Sequence, residues 1–169
     1  MQTLTKTFGL VLIILLLGTM NSFSQSKKFT PEYSTIITSY KGPEMLKQCS
    51  RSVPNNVENY FDLTVIEIGE LEDNFKKVLD IKSTGCCYSG IKLHGLKDYV
   101  FQYTGLIIKG EKYVYINAFQ IESSDDLTRF YKDWKVNPVI ICDGGDSVWG
   151  VLFDLKNKKF LQLAINGVA

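Results

Sequence analysis

The sequence predicts an α+β domain in which one long amphipathic helix lies across a twisted antiparallel sheet of about five strands. Three observations predict it. A helix start is marked at Thr64, with an apolar stripe behind it. Two runs rich in aromatic and β-branched residues follow, Tyr99 to Ile108 and Lys112 to Gln120. Three shorter strand-like runs then close the chain, separated by tight turn residues.

The chain opens with Lys6 as its only early charge, an apolar run from Phe8 to Leu17, and Ser22 and Ser24 at small-x-small spacing. These are the three regions of a secretory signal peptide, with cleavage expected between Ser24 and Gln25. A membrane-spanning helix needs roughly 20 apolar residues, about twice this run. No cysteine stands near the cleavage site to carry a lipid. The expected organisation is a signal peptide over residues 1–24, an N-terminal lead-in over 25–62 and the α+β domain over 63–169. The expected location is outside the cytoplasm, periplasmic or secreted, with no membrane span.

Within the lead-in, Glu32 to Tyr40 has strand composition, Gly42-Pro43 breaks it, and Cys49 to Glu58 reads as loop. Thr64 and Glu67 then form a capping box, each side chain satisfying an orphan amide of the first turn. Val65, Ile68, Leu71, Phe75, Val78 and Leu79 recur at spacings of three and four, predicting about four helical turns with one apolar face. Gly69 costs this helix up to ~1 kcal/mol relative to Ala. After the loop Ser83 to Gly90, Lys109-Gly110 joins the two long strands as a hairpin. Asp125 to Trp134 reads as a short helix, and Val139–Cys142, Val148–Leu155 and Phe160–Ile165 as strands. Alternation puts Trp149, Val151, Phe153 and Leu155 on one face, and likewise Leu161, Leu163 and Ile165.

Removal of residues 1–24 leaves 18 of the 19 basic residues against 18 acidic ones, interspersed in sign. That balance argues against nucleic acid and anionic membrane as partners, which require a basic stripe or cluster. About 145 residues suffice for one domain with a stable core.

Four cysteines, Cys49, Cys86, Cys87 and Cys142, permit a disulfide in an oxidising compartment. A bond within the Cys86–Cys87 dipeptide would be strained. The pairing expected is therefore Cys49 with Cys86 or Cys87, with Cys142 a buried thiol in the apolar run Val139–Cys142; no disulfide at all stays open. His94, the only histidine, lies near Cys87 but in a Lys/Leu/Gly stretch that reads as surface. No Cys-x-x-Cys spacing supports zinc, and no motif requires a metal or cofactor. Asp143-Gly-Gly-Asp146 reads as a turn rather than a cation loop.

The segments Gly110 to Phe119 and Asp143 to Ala169, with the capped helix, resemble small exported bacterial proteins of cystatin-like or NTF2-like shape. That resemblance implies a curved antiparallel sheet gripping a helix, and a compartment, but no activity. Cystatins inhibit proteases through a Gln-x-Val-x-Gly hairpin tip. Gln102-Tyr-Thr-Gly105 is one residue short of it, lacks the Val and falls inside a strand.

The function expected is a non-enzymatic binding domain for a protein or small ligand. Tyr103, Tyr113, Tyr115 and Trp149 are its candidate contact residues, because aromatic side chains on an open sheet face offer apolar area with a polar handle. The alternatives are a small NTF2-like enzyme with Asp143, Asp146 or His94 as base in a helix–sheet pocket, a protease-inhibitor-like protein, and a structural envelope component.

Overall fold

The computed structural model describes residues 28–168. The expected signal peptide and its cleavage site lie outside the described residues, as does Ala169.

Six strands form one mixed sheet: β1 (Tyr33–Ile36), β2 (Val57–Phe61), β3 (Tyr99–Ile108), β4 (Glu111–Gln120), β5 (Val148–Asp154) and β6 (Lys159–Ile165). Strands β3 to β6 run as the antiparallel meander that their short turns require. Lys109 (φ 53°) and Gly110 (φ 74°) both adopt the left-handed conformation of a type I′ turn. The Glu58 carboxylate accepts from both of their amides at 3.0 Å. The free edge of β3 is shared by two short strands. β1 pairs in parallel with Val100–Tyr103, and β2 antiparallel with Gly105–Ile108. Gly105 sits at the handover, where a Cβ would meet the Phe61 carbonyl oxygen at 2.5 Å.

This corrects the predicted architecture of a single long helix on a five-stranded antiparallel sheet. The helices are short: α1 (Gly42–Met45), α2 (Val65–Asn74) and α3 (Ser124–Arg129). The capping box that starts α2 is present. Glu67 N donates to Thr64 Oγ1 at 3.3 Å, and Thr64 N donates to Glu67 Oε2 at 2.9 Å. After Asn74 the chain tightens into a 3-10 helix, Phe75–Asp80, giving 16 helical residues from Val65. At the change, the Asn74 side-chain amide donates to the Glu70 carbonyl at 2.8 Å, competing with the helical ladder. Leu71, Phe75 and Val78 are buried, whereas Val65 is 85% exposed, so the stripe begins at Ile68.

Two further strand expectations change. β2 begins at Val57, in the stretch read as loop, and runs on past its end at Glu58; Val57-Glu-Asn-Tyr-Phe61 has no clean alternation, and its pairing slips between Val57 and Asn59. In β6, Leu161 faces outward while Phe160, Leu163 and Ile165 are buried. Gln162 takes φ 54° at an irregularity in the β5–β6 register, and the extra residue shifts the parity of the strand.

Both faces of the sheet are covered, so the domain has three layers and the expected open, Tyr-rich face is closed. On the first face, Phe101, Tyr103, Ile116, Trp149, Val151 and Phe153 pack beneath Leu71, Phe75 and Val78. Phe75 is the hub, with ring centroids 4.9 Å from Phe101 and 5.3 Å from Phe29. The second face carries two apolar clusters. One joins Val100, Phe119 and Val148 to Leu127 and Trp134, and the other joins Leu106, Tyr115 and Leu152 to Ile37 and Met45.

Candidate functional site: a loop clamped from within the sheet

Between those two clusters the second face is polar. Gln102 on β3 lies directly opposite Asn117 on β4, and Asn117 opposite Gly150 on β5. Gly150 leaves room for a guanidinium: a Cβ there would meet Tyr115 OH at 2.5 Å and Arg51 Nε at 3.0 Å. Arg51, only 5% exposed, donates through Nη2 to Asn117 Oδ1 (2.5 Å) and Tyr115 OH (3.2 Å). Its Nη1 donates to Asn166 Oδ1 at 2.8 Å. A buried cation is costly unless its donors are satisfied, and here neutral oxygens satisfy them.

The three amide side chains reach from this row to the segment after α3. Gln102 Nε2 donates to the carbonyls of Trp134 (2.6 Å) and Asn137 (2.8 Å), while its Oε1 accepts from Val139 N at 2.8 Å. Asn117 Nδ2 donates to Val139 O at 2.9 Å and to Gln102 Oε1 at 3.0 Å. Asn166 Nδ2 donates to Ile141 O (2.6 Å) and Asp143 O (2.9 Å). These bonds explain why Val139–Cys142 is not the expected strand: its backbone groups are paired with side chains instead of a neighbouring strand. A network with its members satisfied also rigidifies what it holds.

The cysteines fasten the same segment. Cys49 is bonded to Cys142, 93 residues away, with Cα atoms 5.0 Å apart. The expected bond from Cys49 to Cys86 or Cys87 does not form, and Cys142 is not a buried core thiol. Arg51, two residues after Cys49, and Asn166, which holds the residues on either side of Cys142, meet in one hydrogen bond. That contact holds together the two segments that the bond joins.

Thus held, the segment sorts its side chains. Tyr131, Trp134, Val139 and Ile141 pack inward. Phe130 (66% exposed), Val136 (61%) and Ile140 (42%) point to solvent. Phe130 and Ile140 border a groove of about 440 Å³ with Arg129, Lys132 and Pro138. Arg129 lies over the Phe130 ring, 5.1 Å from its centroid. Upstream, the Asp126 carboxylate anchors the start of α3 by accepting from the amides of Glu122 (2.9 Å) and Ser123 (3.2 Å).

The candidate contact residues named from the sequence do not come together. Tyr103 and Trp149 are buried on the first face and Tyr115 on the second. Burial pushes the Tyr103 hydroxyl far above the usual phenol range. Tyr113 is half-buried and lines a polar cavity of about 520 Å³ with Lys109, Gln162 and Ser52. His94 is exposed and shares a shallow cavity of about 320 Å³ with Asp98 and Asp146, while Asp143 gives its carbonyl to Asn166. Among the described residues, no three His, Cys, Asp or Glu side chains are placed to hold a metal, and no helix is long and apolar enough to cross a membrane. Sequence reading missed Gln102, Asn117, Asn166 and Arg51. The available signal was a polar residue in the middle of each of two apolar strands, Gln102 and Asn117.

No protein-family model matches the chain, and comparison with curated proteins and with solved structures returned no match.

Proposed function

We propose that this protein is a non-enzymatic binding domain, acting outside the cytoplasm, whose recognition element is the clamped segment Arg129–Ile140. The observation that carries the reading is that this irregular segment exposes Phe130, Val136 and Ile140 while its backbone is tied to buried Gln102 and Asn117. Loops on a rigid scaffold are common carriers of recognition. Exposed large apolar residues set close together mark interaction surfaces, and a loop held in shape before binding loses less entropy when a partner docks. Arg129 and Lys132 outnumber Asp133 along the groove, which favours a partner surface combining apolar and acidic groups.

The test compares the wild-type chain with a Phe130→Ser/Ile140→Ser double variant, first in capture from envelope and secreted fractions, then in titration against the recovered partner. Both residues are exposed, so the variant should melt as the wild type does, yet bind at least about tenfold more weakly. Equal affinity would sink the loop assignment, and failure to recover any saturable partner would sink the binding reading. Export is tested separately: the mass of the protein from the periplasmic or secreted fraction should begin at Gln25, and an intact N-terminus there would count against it.

A further inference from the structure

With Cys49 and Cys142 bonded to each other, Cys86 and Cys87 are left as thiols, both exposed. Their sulfurs lie 3.0 Å apart, with Cys87 Sγ donating to Cys86 Sγ. Adjacent side chains usually diverge, and the backbone here is bent to bring them together: Cys87 takes φ 79°, a left-handed conformation uncommon for a residue with a Cβ. Strain of this kind persists only where the surroundings impose it, and it collects at functional sites.

Ser83 N donates to Ile91 O at 2.7 Å and Gly90 N to Ser83 O at 2.8 Å, closing the loop at its base. Thr84 N donates to Leu163 O at 2.8 Å, and Cys86 N to Ser52 Oγ at 3.1 Å, fixing the loop to β6 and to the residue that follows Arg51. Tyr88 N donates to Cys86 O at 3.1 Å, tightening the turn around the pair. The polar cavity of about 520 Å³ reaches Gly85 and is lined by Ser52, Asn55, Asn56, Thr84 and Lys109, while the two sulfurs lie outside its lining, open to solvent.

We propose that Cys86 and Cys87 are a redox-active vicinal dithiol that exchanges with a low-molecular-weight disulfide reaching the pair from solvent. Cys86, as thiolate, attacks one sulfur of R–S–S–R; a Cys86–S–S–R bond forms, the R–S–S–R bond breaks, and RS⁻ leaves. Cys87, as thiolate, then attacks Cys86 Sγ, forming the Cys86–Cys87 bond and expelling the second RS⁻. The protons of the two thiols pass to the two leaving thiolates, and the two electrons reduce one disulfide to two thiols. The hydrogen bond that Cys87 donates to Cys86 is the main cause raising the Cys87 thiol above its ordinary value. The strained ring is what makes the pair reversible, since strained and exposed disulfides are the labile ones. This site lies on the Ser83–Gly90 loop and is independent of the Arg129–Ile140 surface.

The experiment equilibrates the full chain in buffers of oxidised and reduced glutathione, quenches with an alkylating agent, and maps the peptides by mass. The expected result is loss of two hydrogens and of both alkylations at Cys86 and Cys87 in oxidising buffer. Both thiols should return in reducing buffer, with Cys49–Cys142 intact throughout. Cys87→Ser should trap glutathione on Cys86 as a stable mixed disulfide, which the wild type does not accumulate. Two alkylated thiols at every ratio, an intermolecular bond, or scrambling with Cys49–Cys142 would each overturn the proposal. The wild-type mapping decides it even if the variant does not fold.

Discussion

At the scale of single residues, Arg51 and Asp154 show how polar groups specify this fold. Arg51→Met keeps the volume of the side chain but leaves Asn117 Oδ1 and Asn166 Oδ1 without the donor each now has. Orphaned buried acceptors cost on the order of 1–3 kcal/mol each. The variant should unfold at lower urea, by about 3 kcal/mol in equilibrium denaturation; a loss under ~1 kcal/mol would mean the clamp rearranges freely. Asp154, on the β5–β6 turn, accepts from the amides of Lys156 (2.9 Å) and Asn157 (2.8 Å) and from Asn157 Nδ2 (2.8 Å). Burial pushes its carboxyl up, but these hydrogen bonds together outweigh burial and hold it below the usual range. On acidification the unfolded chain is thus protonated first. The stabilisation is present above the unfolded value of about 3.9 and is lost as pH falls through the lower folded value. Stability measured from pH 6 downward should show this fall, and Asp154→Asn, which keeps one acceptor oxygen, should flatten it.

At the scale of elements, the Cys49–Cys142 bond and the amide row act on one piece of chain. A link spanning 93 residues removes much freedom from the unfolded state, worth about 4.6 kcal/mol by loop-closure entropy for a loop of this size. In Cys49→Ser/Cys142→Ser, denaturation should show a loss of that order. Hydrogen exchange should quicken most between Trp134 and Asp143, because the native state loses its fastening there. Uniform quickening across β3 to β6 would place the role of the bond in the global fold instead. The helix that begins at Thr64 was legible because its capping box and the Leu71, Phe75 and Val78 spacing are local. Its length was not, because Asn74 diverts a carbonyl of the ladder and Val65 found no surface to cover it.

At the scale of the whole molecule, two covered faces change where aromatic residues can work. Trp134 and Trp149 are the only tryptophans of the chain, and both are buried, one on each face. Native fluorescence should therefore be blue-shifted and nearly insensitive to iodide, becoming quenchable on unfolding. Strong native quenching would mean that one cover is open in solution. The residues proposed to meet a partner, Phe130, Val136 and Ile140, are instead on a segment without regular secondary structure. Periodicity marks the inner face of an element, and such a segment has no period to read.

The amino-acid order alone determined what rests on neighbours along the chain. The Thr64–Glu67 cap, the Lys109–Gly110 turn, the alternation of Trp149, Val151 and Phe153, and the four strands of the meander are all of this kind. Tertiary structure alone decided the parallel edge strand β1, the second covered face, the partner of Cys49 and the shape of Trp134–Asp143. Each of these depends on contacts between residues tens of positions apart. Buried Gln102, Asn117, Asn166 and Arg51 direct them by requiring hydrogen-bond partners that no local pattern names.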